Sequence, residues 1–160
     1  MLLQILNNKK SKFNNFLTDT YYKKFSDLNI EFFENVKSSL IDPLGGYVAN
    51  DVRWIKLNEK WNSSKFPVVI GGEGQPLLLL HGFDSSFLEF RRIYPSLKRN
   101  FQVIIPDLLG FGFSPRCATN EYNSSKIITY LVDILKTLKI TKNLKILGAS
   151  MGGSTALKLA

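Results

Sequence analysis

The sequence predicts an α/β domain, a mostly parallel sheet with flanking helices preceded by a short helical extension. Three observations predict it. Leu77-Leu-Leu-Leu80, Phe101-Gln-Val-Ile-Ile105 and Lys142-Asn-Leu-Lys-Ile-Leu147 are short apolar runs of the kind a sheet covered on both faces requires. Stretches with helical spacing separate them, which implies right-handed crossovers between parallel strands. Each run empties into a loop with unusual side chains, on the rim where open α/β sheets gather their chemistry.

The elements follow in order. Phe13, Phe16, Leu17 and Tyr21 recur at helical spacing under a lysine-rich face, predicting a short amphipathic helix; packing on the rest of the molecule is the favoured reading, with contact with a membrane surface and a cleavable transit peptide as the alternatives. Asp27 is a candidate N-cap for a second helix carrying Leu28, Phe32, Val36 and Leu40, with Phe33 widening the stripe. Pro43 and the glycines of Asp42-Pro-Leu-Gly-Gly46 are expected to end it. Val52-Arg-Trp-Ile-Lys-Leu57 and Phe66-Pro-Val-Val-Ile70 read as two antiparallel strands. After Leu80, the residues Phe87, Phe90, Tyr94 and Leu97 have helical spacing. Ser124 or Ser125 is expected to cap a long helix carrying Ile127, Ile128, Leu131, Leu135 and Leu138. Residues 1–50 thus form an N-terminal helical extension and 51–160 the sheet domain. No repeat or interdomain linker interrupts them.

The totals bound the function. A chain of 160 residues with 44% hydrophobic content can bury one core. The longest apolar run falls far short of the roughly 18 residues that cross a bilayer. Met1-Leu-Leu-Gln-Ile-Leu6 lacks the basic flank and cleavage site of a secretory signal, so the protein is expected not to be secreted. A lone Cys117 excludes an intrachain disulfide or a multi-cysteine metal site and fits a reducing compartment. The net charge of +8 suggests a nucleic-acid or anionic-membrane surface, but the lysines are scattered and far outnumber arginines, so neither partner is expected. Abundant Lys, Asn, Ile and Phe also follow from AT-rich coding, which points to an organelle or endosymbiont genome and to the cytoplasm or plastid stroma.

Chemistry concentrates at three strand ends. Gly148-Ala-Ser-Met-Gly152 is a G-x-S-x-G nucleophile elbow. A strand that turns into a helix within one residue strains the backbone at Ser150, and small neighbours let the two chains approach. Leu80 enters His81-Gly-Phe83, and Ile105 enters Pro106-Asp-Leu-Leu-Gly-Phe-Gly-Phe-Ser114. The three loops should share one rim. No G-x-G-x-x-G run or metal-ligand cluster accompanies them, so no cofactor and no metal are expected.

In this ordered trio the sequence resembles the α/β-hydrolase family, over about Val52 to Ala160. The resemblance implies a serine hydrolase acting on a small-molecule ester or amide through an acyl-enzyme. By resemblance Ser150 is the nucleophile and the backbone N–H groups of Phe83 and Met151 form the oxyanion hole. His81, Gly82, Gly148, Gly152 and Asp107 take supporting roles. His81 is the only histidine, but the family order of Ser, then acid, then His makes it structural. The sequence reaches Ala160 inside the helix after the elbow, so the acid and base of the family are missing. Two readings stay open: the N-terminal half of a hydrolase whose partner is a missing C-terminal half, and a non-catalytic remnant with no hydrolase activity of its own. Under either, the strand at Leu144–Leu147 should form an apolar sheet edge.

Overall fold

The computed structural model describes residues 27–61, 64–116 and 122–160. The amphipathic helix expected at Phe13–Tyr22, and Cys117, lie outside them. The elements are α1 (27–38), α2 (Pro43–Ala49), β1 (Val52–Lys56), β2 (Lys65–Gly71), β3 (Gln75–Leu80), α3 (Tyr94–Leu97), β4 (Phe101–Pro106), α4 (Ser124–Thr137), β5 (Lys145–Gly148) and α5 (Met151–Leu159). Single 3₁₀ turns at Glu59–Trp61 and Phe87–Phe90 join them.

One five-stranded sheet runs in the order β1-β2-β4-β3-β5. The first two strands pair antiparallel, with Val52 opposite Val69, and β2 is antiparallel to β4. Strand β3 then lies parallel to both β4 and β5, with Leu78 between Ile104 and Ile146. Both faces are covered, which is why the leucine run is unbroken rather than alternating. Leu78 and Leu80 face the layer of α4 and α5, with Ile104, Leu131 and Ile134. Leu77 and Leu79 face the opposite layer, with Phe33, Val48, Phe87 and Tyr94. Burial of each such leucine contributes about 1.5–3 kcal/mol. As expected, β5 stands at the sheet edge, and Leu147 is 41% exposed.

The structure corrects four local expectations. Pro43 begins a helix instead of ending one: it occupies the first turn of α2, where its missing N–H costs nothing, and Asp42 caps that turn by accepting from the Leu44 N–H at 3.0 Å. In α1 the core residue is Phe33, 2% exposed, whereas Leu28 and Phe32 are half exposed or more. The stretch from Phe87 to Leu97 is a 3₁₀ turn and a one-turn helix, broken at residues 91–93. Finally, α4 is capped by Asn123, whose side chain accepts the Lys126 N–H at 2.9 Å.

Candidate active site

The elbow forms because β5 and α5 are allowed to touch. A methyl group on Gly152 would run into the Leu80 carbonyl, and one on Gly148 into the backbone of Gly152 and Gly153. Glycine at both positions lets α5 start directly against the end of β3, and the Ala149 N–H donates to the Leu80 carbonyl at 2.9 Å. Between them Ser150 takes φ 51° and ψ −116°, a conformation that costs a non-glycine residue about 1–3 kcal/mol. It is surface-exposed and stands at the N-terminus of α5 without capping it.

The His81-Gly82-Phe83 loop lies against this serine. A Cβ on Gly82 would stand 3.4 Å from the Ser150 Cβ. His81 is fully buried, and both ring nitrogens are engaged. Its Nε2 accepts the Leu108 N–H at 2.9 Å, which leaves Nδ1 to donate to the Gly82 carbonyl at 2.8 Å. Burial holds its pKa below the ordinary value, against the opposing pull of the Gly82 carbonyl and the Glu89 charge, so the ring is neutral. The Gly82 carbonyl and the Phe83 N–H belong to one trans peptide and point in opposite directions. His81 thereby fixes the direction of the Phe83 N–H. The Phe83 ring is 72% exposed and meets Phe111 edge-on at 5.4 Å.

Asp107 organises the third loop. Its fully buried carboxylate accepts the Phe87 N–H and the Phe113 N–H, both at 2.6 Å. Burial pushes its pKa up to about 7 even though these two N–H groups pull it down. Its own carbonyl accepts from the Ser114 hydroxyl at 2.9 Å and the Tyr130 hydroxyl at 3.0 Å. Gly112, at φ 53°, gives way to that carboxylate, since a Cβ there would overlap it. The Asp107 Oδ1 lies 4.0 Å from His81 Nε2, too long for a hydrogen bond. His81 and Asp107 are thus two struts, each tied to backbone.

The structure brings the three loops together as expected: elbow to H-G-F loop through Leu80 and Gly82, and H-G-F loop to the 106–114 loop through His81 and Leu108. One participant escaped the sequence reading. Glu89 accepts the Gly82 N–H on Oε2 at 2.8 Å, and its place in an apparently amphipathic stretch carries no signal of that bond. Beside it lies a cleft of about 770 Å³ whose lining includes Phe32, Val36, Leu88, Glu89, Phe113 and Arg116; Ser150 does not line it. Among the described residues no group of three His, Cys, Asp or Glu could hold a metal ion.

Comparison with known proteins bears on the fold. A family model described as alpha/beta hydrolase fold matches residues 75–160, just over half of the chain. The chain is 37% identical over 92 residues to 2-hydroxymuconate semialdehyde hydrolase of Pseudomonas sp. (strain CF600), covering 56% of this chain and 32% of that protein. It is 39% identical over 87 residues to lipase 1 of Psychrobacter immobilis, covering 54% and 27%. In structure it resembles a meta-cleavage product hydrolase from Pseudomonas fluorescens crystallised with acetate, with a TM-score of 0.57 and 32% identity over 60% of this chain and 36% of that one. The matches span about a third of these relatives' lengths.

Proposed function

The chain belongs to the α/β-hydrolase fold family, and from that premise we propose that it supplies the nucleophile and oxyanion hole of a serine hydrolase acting on a small-molecule ester or amide. The observation that carries the reading is Ser150, an exposed hydroxyl on strained backbone set against a loop whose free N–H direction is fixed. In this mechanism the Ser150 Oγ attacks the substrate carbonyl carbon. The N–H groups of Phe83 and Met151 receive the developing oxyanion, and such a donor is worth about 3–4 kcal/mol. Collapse expels the alcohol or amine with a proton and leaves an acyl-serine, which water cleaves to the carboxylic acid. No metal or cofactor enters the scheme.

Activation of Ser150 requires a general base and an orienting acid. His81 is the only histidine in the sequence and both its nitrogens are spent on backbone, so this reading places the acid and the base outside these 160 residues. The proposed partner is therefore a C-terminal half carrying them. In a serine protease, loss of the base costs about 10⁶ in turnover. That observation also favours the second reading, in which the chain by itself is non-catalytic. The proposed location is the cytoplasm or plastid stroma. No described helix is long and apolar enough to cross a membrane.

The test compares hydrolysis of short-chain p-nitrophenyl esters by the full-length gene product and by these 160 residues alone. Ser150-dependent turnover in the former with none in the latter supports the first reading. Turnover in the full-length product that survives Ser150→Ala contradicts it.

A further inference from the structure

We propose that Glu89 is a positioning residue for the candidate oxyanion loop, holding the peptide between His81 and Gly82 while His81 holds the one between Gly82 and Phe83. This inference rests on the proposed role of the Phe83 N–H and extends it to a residue outside the three loops.

Gly82 is the weak point of that loop, because glycine has the widest backbone freedom of any residue and both flanking peptides could rotate. Two bonds remove that freedom. His81 Nδ1 donates to the Gly82 carbonyl at 2.8 Å, and the Gly82 N–H donates to Glu89 Oε2 at 2.8 Å. Glu89 is itself exposed, but the backbone that carries it is well anchored. Glu89 sits on the 3₁₀ turn Phe87–Phe90, whose two end rings are buried. Ser86 caps the turn at the Leu88 N–H, and the Phe87 N–H is tied to Asp107 at 2.6 Å. A Cβ on Gly82 would meet both the Ser150 Cβ at 3.4 Å and Glu89 Oε2 at 3.6 Å. The glutamate thus reaches the side of the loop that faces the nucleophile.

Magnitude decides the nature of the contribution. A negative charge beside a developing oxyanion is an electrostatic cost at these distances, so a carboxylate there must act through geometry. A charge-assisted bond to a backbone N–H is stronger than a neutral one, and a mobile oxyanion donor forfeits part of the roughly 100- to 1000-fold that such a donor supplies. Glutamine keeps the acceptor, and the weaker neutral bond it makes is offset by removal of the charge, so it should serve about as well as glutamate. Aspartate, one methylene shorter, should not reach.

The experiment measures inactivation of the full-length gene product by a fluorophosphonate probe, separating the maximal rate from the probe's half-saturating concentration, with mass-spectrometric location of the adduct. Glu89→Ala and Glu89→Asp are expected to lower the maximal rate about tenfold or more, with half-saturation changed less than about threefold, and Glu89→Gln to stay within about threefold of wild type. Wild-type-like inactivation of Glu89→Ala, or a Glu89→Gln variant as slow as Glu89→Ala, overturns the proposal while leaving Ser150 as nucleophile. If Glu89→Ala does not fold, the Asp and Gln variants decide by the same criteria. Absence of any Ser150 adduct in wild type overturns the hydrolase reading, and the role of Glu89 with it.

Discussion

His81 accepts the backbone N–H of Leu108 on Nε2 at 2.9 Å, and this single bond joins the loop after β3 to the loop after β4. With Nδ1 committed to the Gly82 carbonyl, the imidazole is a buried crosspiece between two site loops. Replacement by alanine leaves the Leu108 N–H without a partner and opens a cavity. The expected loss is about 3–5 kcal/mol of unfolding free energy in urea, from the cavity and the orphaned donor together. A loss under about 1 kcal/mol would contradict the strut.

Two buried groups, Asp107 and His81, set opposing pH dependences. The pKa of Asp107 is raised in the fold to about 7 by burial, so the native state holds a proton that the unfolded chain has already released. Its contribution is present below pH ~4 and lost as pH rises through about 7. The pKa of His81 is depressed by burial, so its contribution is present above pH ~6.5 and lost as pH falls below it. Urea unfolding at a series of pH values checks the signs. Relative to Asp107→Asn, wild type should lose stability between pH ~4 and ~7, and relative to His81→Gln it should gain stability as pH rises toward ~6.5.

Close packing of α5 on β3 gives a steric prediction. Gly152→Ala drives a methyl group into the Leu80 carbonyl, whereas position 46, inside α2, has no atom within 4 Å of the added Cβ. Gly152→Ala should cost more than about 3 kcal/mol or abolish soluble expression. Gly46→Ala should stabilise by about 0.5–1 kcal/mol, since alanine lowers the entropy of the unfolded chain. Thermal melting of the two variants distinguishes them.

A polar bridge under the sheet gives another. Trp61 Nε1 donates to Asp133 Oδ2 at 2.7 Å, and Lys60 Nζ lies 2.7 Å from the same oxygen. Asp133→Leu leaves the buried indole N–H without that acceptor and should cost about 1–3 kcal/mol. Trp61→Phe and the double variant complete a cycle, in which a coupling energy near zero would show that the bridge contributes nothing.

These cases separate what the sequence discloses from what it conceals. The strands were legible because Leu77–Leu80 and its partners are apolar on both faces, and the elbow because only glycine fits at positions 148 and 152. Pro43 misled because proline suits the first turn of a helix as well as the end of one. Asn123 was missed beside two serines that could cap equally well. The bonds of Trp61 to Asp133 and of Gly82 to Glu89 join residues whose proximity depends on how the chain packs. Residue types alone could not place them.

Ser150 offers the most direct test. Its backbone, at φ 51° and ψ −116°, suits glycine and strains serine. Ser150→Gly should therefore raise stability by about 1 kcal/mol, the sign expected where strain is kept for function. The decisive measurement is fluorophosphonate labelling of the full-length gene product, digested and mapped by mass spectrometry. The account predicts one adduct, on Ser150, absent from Ser150→Gly and Ser150→Ala. An unlabelled Ser150 in an active preparation, or an adduct that persists on another residue in both variants, would contradict it.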